Sequence, residues 1–247
     1  RDTVHGRIYR VSYEKAPRYV PMRLDNATPA QLVSALSNDN MFWRTTAQRL
    51  LVERGKTDVV PQIIAVINDR TVDRIGLNSP AVHALWTLHG LGVLDGNHSA
   101  SLEAATRALS HPAAGVRKAA LSVLPTMQQS IAAALSAGAL TDKDLNVRLH
   151  ALLALSRMPA SVEAGREIYR ASQDQAVMED EWLPEAVWIA ATRHEEGFLK
   201  AYADDVGVPE VMKIAVRGAR GERGGGVDWS APSLPDADWK VVPAPKV

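Results

Sequence analysis

The chain has 247 residues, with 28 Lys plus Arg balanced by 28 Asp plus Glu, and no cysteine. That length buries enough surface to fold without staples, as one large domain or two small ones, and the charge balance lacks the basic excess of a dedicated nucleic-acid binder. Zero cysteine excludes disulfides, thiolate metal sites, cysteine nucleophiles and covalent c-type haem attachment within the chain, and apolar runs stay short of the roughly 20 residues of a membrane span.

The chain opens at Arg1, so the expectation is a processed product or a piece of something longer. Near the N-terminus, "HGRIYRVSYE" alternates, with Tyr9, Val11 and Tyr13 on one face and Ile8 and Arg10 on the other, which predicts a strand. A lone strand leaves a row of backbone groups unpaired, and no second strand is legible downstream. Residues 1–24 are therefore expected to be the closing strand and linker of an upstream β domain.

From residue 25 to 217 the pattern is helical. Alanine occurs 37 times while aromatics are 5% of the chain, a bias that suits closely packed helices. The segments "WRTTAQRLL", "SPAVHALWTL", "VRKAALSVL", "VRLHALLAL" and "WLPEAVWIA" each carry a central alanine followed by apolar residues at helical spacing. Those alanines are Ala47, Ala84, Ala120, Ala151 and Ala186, separated by 37, 36, 31 and 35 residues. Such a period predicts stacked helical hairpins. Shorter partner helices are expected at residues 29–37, 59–68, 99–110, 128–137 and 161–172, with a weaker sixth pair at 195–204 and 209–217. Thr28-Pro29, Ser79-Pro80 and His111-Pro112 read as helix starts, Asp142 and Ser161 as capping candidates. Gly55, Gly90, Gly92 and Pro159 read as stops. The predicted fold is all-α: a HEAT-like α-α solenoid of five to six helical pairs, with a short N-terminal β-strand and an irregular tail. In that tail, residues 218–247, glycines at 218, 221 and 224–226 mimic a phosphate loop, but no strand precedes them and no helix follows.

The segments "VRKAALSVL" and "VRLHALLAL" match the HEAT-repeat pattern. With "GRIYRV", "NDNMFWRTTAQRLLVERG" and "AVHALWTLHGLGVLDG", the chain resembles the HEAT segment of large secreted dehydrogenase-like proteins of planctomycetes and verrucomicrobia. The resemblance spans roughly residues 6 to 202. It implies a sugar-dehydrogenase-like β-propeller upstream, whose closing strand is the orphan strand, and often a c-type cytochrome downstream. It implies export to the periplasm or beyond. No CxxCH is present, so no catalytic, haem-binding or metal residue is assigned to this chain, and no cofactor is expected in it.

Among candidate chemistries, the seven histidines offer no zinc-binding spacing and are expected to be satisfied or solvent-facing. Residues 174–210 hold ten acidic and two basic side chains. Glu179, Asp180, Glu181, Trp182, Asp204 and Asp205 are therefore a candidate acidic patch for a basic partner such as a small cytochrome. Trp43, Trp86 and Trp188 are expected to fill layers between pairs, and Trp182 to be partly exposed. Arg44, Arg117 and Arg148, each three residues before a central alanine, form a candidate arginine ladder with Asp39, Asp142 and Asp144 as partners. The reading that follows is a non-catalytic scaffold between an upstream propeller and a downstream module, with no nucleic-acid partner and no membrane span. The alternative is a self-sufficient enzyme on a HEAT-like scaffold, such as an alkylpurine DNA glycosylase, against which the charge balance speaks.

Overall fold

The computed structural model describes residues 22–207 without a break, together with residues 6, 11 and 13–15. Of the expected strand, residues 8–10 and 12 lie outside the described residues, as do the expected helix at 209–217 and the tail. The chain divides into two compact units, residues 1–201 and 202–247. All regular structure among the described residues is helical: twelve α-helices and two 3-10 turns.

Local chemistry sets the helix limits. In α1 (Pro29–Ala35), the Thr28 hydroxyl accepts from the Gln31 N–H while the Gln31 side chain accepts from the Thr28 N–H, and Pro29 occupies the first helical position. Asn40 caps α2 (Met41–Arg54), which ends on Gly55 in the left-handed region at φ 64°. A 3-10 turn leads into α3 (Val60–Asn68), and Asn78 caps α4 (Ser79–Gly90). There follow α5 (Ser99–Ala108), α6 (Ala114–Val123) and α7 (Gln128–Ser136). Pro112 sits ahead of α6 rather than inside its first turn, because Ala113 takes the cap position. In α8 (Leu145–Leu155) the cap is Asp144, not Asp142. Ser161 caps α9 (Val162–Ala171), and the short α10 (Gln175–Met178) precedes α11 (Leu183–Arg193) and α12 (Glu195–Val206).

Two runs of contacts link these helices. Along one, α1 packs on α3, α3 on α5, α5 on α7 and α7 on α9; along the other, α2 packs on α4, α4 on α6, α6 on α8 and α8 on α11. Within pairs, α1 meets α2, α3 meets α4, α5 meets α6 and α9 meets α11, while α7 and α8 meet through the 3-10 turn Ala139–Thr141. Contacts between α2 and α4 advance together, Gln48 against His83 and Val52 against Gly90, so the two helices run parallel.

The alanine period has a direct packing counterpart. Ala47, Ala84, Ala120, Ala151 and Ala186 are all buried. Leu85, Leu121 and Leu152, each next to a central alanine, are buried too. Full burial of one such leucine contributes about 1.5–3 kcal/mol. The small alanine lets neighbouring helices approach closely, and those leucines belong to one hydrophobic core.

A tighter approach joins α9 and α12. A Cβ on Gly165 would lie 2.3 Å from the His194 carbonyl oxygen, and one on Gly197 would lie 1.9 Å from that of Val162. Only glycine lets two backbones meet this closely.

Candidate interaction surface

The three ladder arginines each reach back to the connection ahead of their own helix. Arg44 Nη1 donates to the carbonyls of Asn38 and Asp39 at 2.7 and 2.8 Å. Arg117 Nη1 donates to those of His111 and Pro112, and Arg148 Nε to that of Asp142. Two of them also reach forward. Arg117 forms a two-pronged pair with the Asp142 carboxylate, at 2.6 and 2.8 Å, both side chains being largely buried. Arg148 pairs with Asp174 at 2.6 Å. Asp39 meets Arg44 through its backbone only, and Asp144 caps α8 instead of meeting an arginine. Arg44 Nε is buried without a hydrogen-bond partner.

These pairs shift the carboxylates. Burial pushes the Asp142 carboxyl up, but hydrogen bonds from Arg117 and the Asp144 N–H, with the guanidinium charge, hold it below its ordinary value. Asp174 is held low chiefly by its hydrogen bond from Arg148. Asp142 lies between α7 and α8, and Asp174 between α9 and α10, so each carboxylate belongs to the pair that follows the arginine's own and each ion pair fastens one helical pair to the next.

Of the six acidic-patch residues, four lie together between α10 and α11. Glu179 accepts from the Gln175 side chain at 2.6 Å. Asp180 accepts from the backbone N–H groups of Trp182 and Leu183, which caps the start of α11. Glu181 is exposed, and Trp182 is 63% exposed. Asp204 and Asp205 lie in the last turn of α12, in the second unit, and both are exposed.

The tryptophans correct the sequence expectation. Trp43 packs partly against the core, with Phe42 edge-on at 4.9 Å. Trp86 and Trp188, expected to fill layers, are exposed, Trp188 by 68%. The reason is angular. At about 100° per residue, a position two beyond a buried central alanine lies about 200° around the helix, on its far side. That position is Arg49 in α2, Trp86 in α4, Ser122 in α6, Leu153 in α8 and Trp188 in α11; Ser122 is half-buried and the others are exposed. This signal was available in the sequence. Beside this column, α2 and α4 enclose a groove of about 360 Å³ lined by Thr45, Gln48, Arg49, Val52, Trp86 and His89, among others. Ile189 adds apolar surface next to Trp188.

A second exposed apolar set was not legible in the sequence. The ten-residue connection between α3 and α4 presents Val72, Ile75 and Leu77 to solvent. Asp69 and Asp73 accept its N–H groups, and Asn78 donates to the carbonyls of Asp69 and Thr71.

Among the described residues, no three His, Asp or Glu side chains are grouped to hold a metal ion, and no helix is long and apolar enough to cross a membrane. Three histidines are hydrogen-bonded between helical pairs: His83 to Gln48, His111 to the Asp69 carbonyl and His194 to the Leu155 carbonyl. No protein-family model and no curated protein matches the chain.

Proposed function

We propose that this chain is a non-catalytic scaffold: a HEAT-like α-α solenoid that offers one face to a protein partner within a larger exported, dehydrogenase-like, haem-containing oxidoreductase. The observation that carries the reading is the column Arg49, Trp86, Ser122, Leu153 and Trp188. It repeats one helical position along helices that contact one another in succession, and such a row suits a partner that spans several repeats. Large exposed aromatic side chains on that row fit a docking face, since aromatic anchors dominate interface energetics. Glu179, Glu181 and Glu185 beside Trp182 and Trp188 favour a basic partner, whose association slows as salt rises. The propeller upstream, the cytochrome downstream, and export rest on the sequence resemblance.

The test is made on the native polypeptide. Source extract is run on a denaturing gel, probed with antibody to this chain, and stained for covalent haem. A much larger band that also stains supports the spacer role. A band at the chain's own mass without haem removes the parent oxidoreductase from the reading, and turnover by the purified chain removes the scaffold.

A further inference from the structure

His111 and His194 occupy the same chemical situation in different parts of the chain. His111 precedes α6; its Nε2 lies 3.1 Å from the Asp69 carbonyl oxygen, and its Nδ1 accepts the Ala113 N–H at 3.0 Å. His194 lies between α11 and α12; its Nε2 lies 2.9 Å from the Leu155 carbonyl oxygen, and its Nδ1 accepts the Ser161 N–H at 3.0 Å. Both side chains are 1% exposed. A carbonyl oxygen only accepts and an amide N–H only donates, so each ring is the neutral tautomer with its proton on Nε2. An imidazolium carries a proton on both nitrogens. Its Nδ1–H would face the Ala113 or Ser161 N–H, losing that bond and leaving a buried cation.

We infer that His111 and His194 are acid-released ties, each holding one helical pair to the preceding one while neutral and letting go when the ring takes up a second proton. His111 binds the connection before α6 to the connection between α3 and α4. His194 binds the end of α11 to the end of α8 and the start of α9. His83 differs, because its Nδ1 faces the Gln48 side-chain oxygen, an acceptor that a protonated ring can still satisfy. The same structure therefore holds two ties that acid breaks and one that it leaves.

The charged surroundings do not rescue the protonated rings. Around His111 stand Arg117 from α6, whose Nη1 lies on the His111 carbonyl, and Asp142 behind it, already paired with Arg117. From the α3–α4 connection come Arg70, bonded to the Ser110 carbonyl, and Asp69, whose carboxylate accepts the Thr71 N–H. Arg107 of α5 turns to Asn68 and Glu103. Around His194, Arg193 donates to the Met158 carbonyl. Arg148 and Arg157 of α8 and its end are held by Asp174 and by backbone carbonyls, Glu196 of α12 pairs with Lys200, and Glu163, Arg166 and Glu195 are exposed. Burial pushes both imidazoles below their ordinary value, in agreement with the geometry.

The full chain, labelled with ¹⁵N at histidine, tests this between pH 8 and 4.5. Ring spectra are expected to show His111 and His194 protonated on Nε2 and titrating below the ordinary imidazole value. Hydrogen exchange, corrected for intrinsic rates, is expected to show opening around residues 69–78, 111–117, 155–165 and 190–197. Relative to α2 and α4, that opening should rise about tenfold per pH unit below about 6.5, as uptake of one proton per joint requires. His111→Gln should abolish the acid response at its own joint and leave that at His194. If that variant does not fold, the ring spectra of the unaltered chain still decide. An Nδ1–H tautomer, titration at the ordinary imidazole value, or a pH-independent ratio of opening overturns the inference.

Discussion

The guanidinium of Arg117 makes four hydrogen bonds, two to carbonyls ahead of α6 and two to the Asp142 carboxylate. Removing only the carboxylate's charge leaves a buried cation without its counterion, the costly way to break such a pair. Asp142→Asn is expected to lower stability by about 3 kcal/mol in urea denaturation. Replacing both partners by apolar residues is expected to lower it less; a loss near zero for Asp142→Asn would mean that the pair does not fasten the two helical pairs. Acid should remove stability in two stages. His111 and His194 are held below their ordinary value in the folded chain, so their contribution is complete above about pH 6.5 and is lost as pH falls from there. Asp69, Asp142 and Asp174 are likewise held low, so theirs is present above about pH 3.8 and lost below it. Urea midpoints measured from pH 8 to 3 should show both declines, and a midpoint flat from pH 7 to 5 would contradict the histidine stage.

Element by element, close packing rests on residues with little or no side chain. At the crossing of α9 and α12, a methyl group on Gly197 would strike the backbone of Val162, which cannot rotate away as a side chain could. Gly197→Ala is expected to destabilise by about 3 kcal/mol or more, detected as a lower thermal midpoint with disturbed signals from both helices. Gly55→Ala is a contrast, since its added carbon meets nothing within 4 Å and only the positive φ opposes it. A smaller loss, about 1 kcal/mol, is expected there. Should the two variants lose equal stability, the crossing is looser than described.

Across the molecule, the main contacts among described residues join helices of the same or adjacent pairs. Stability in such an array is nearly a sum of local and nearest-neighbour contributions. Leu152→Ala in α8 should cost about 2–5 kcal/mol. Its effect on hydrogen-exchange protection should be greatest in α6, α8 and α11 and least in α1 and α2. Uniform loss over residues 22–207 would contradict the array.

Much of this organisation was written in the chain. The alanine period placed five second helices, and Thr28-Pro29, Gly55 and Ser161 marked ends where local hydrogen bonding, or an allowed positive φ, decides the outcome without distant partners. Composition also bounded the chemistry, since residues that are absent cannot react. The sequence by itself left open which carboxylate meets which arginine: Asp144 looked as suitable as Asp142, and Asp174 was not considered. That choice depends on which side chain the next pair brings within reach of Arg117 and Arg148. It left open, too, that α9 and α12 touch backbone to backbone, and that His111 and His194 have both nitrogens bonded to main-chain groups. Only tertiary structure decides these matters, because these partners lie 25 to 42 residues away and their positions are set by how whole helices pack.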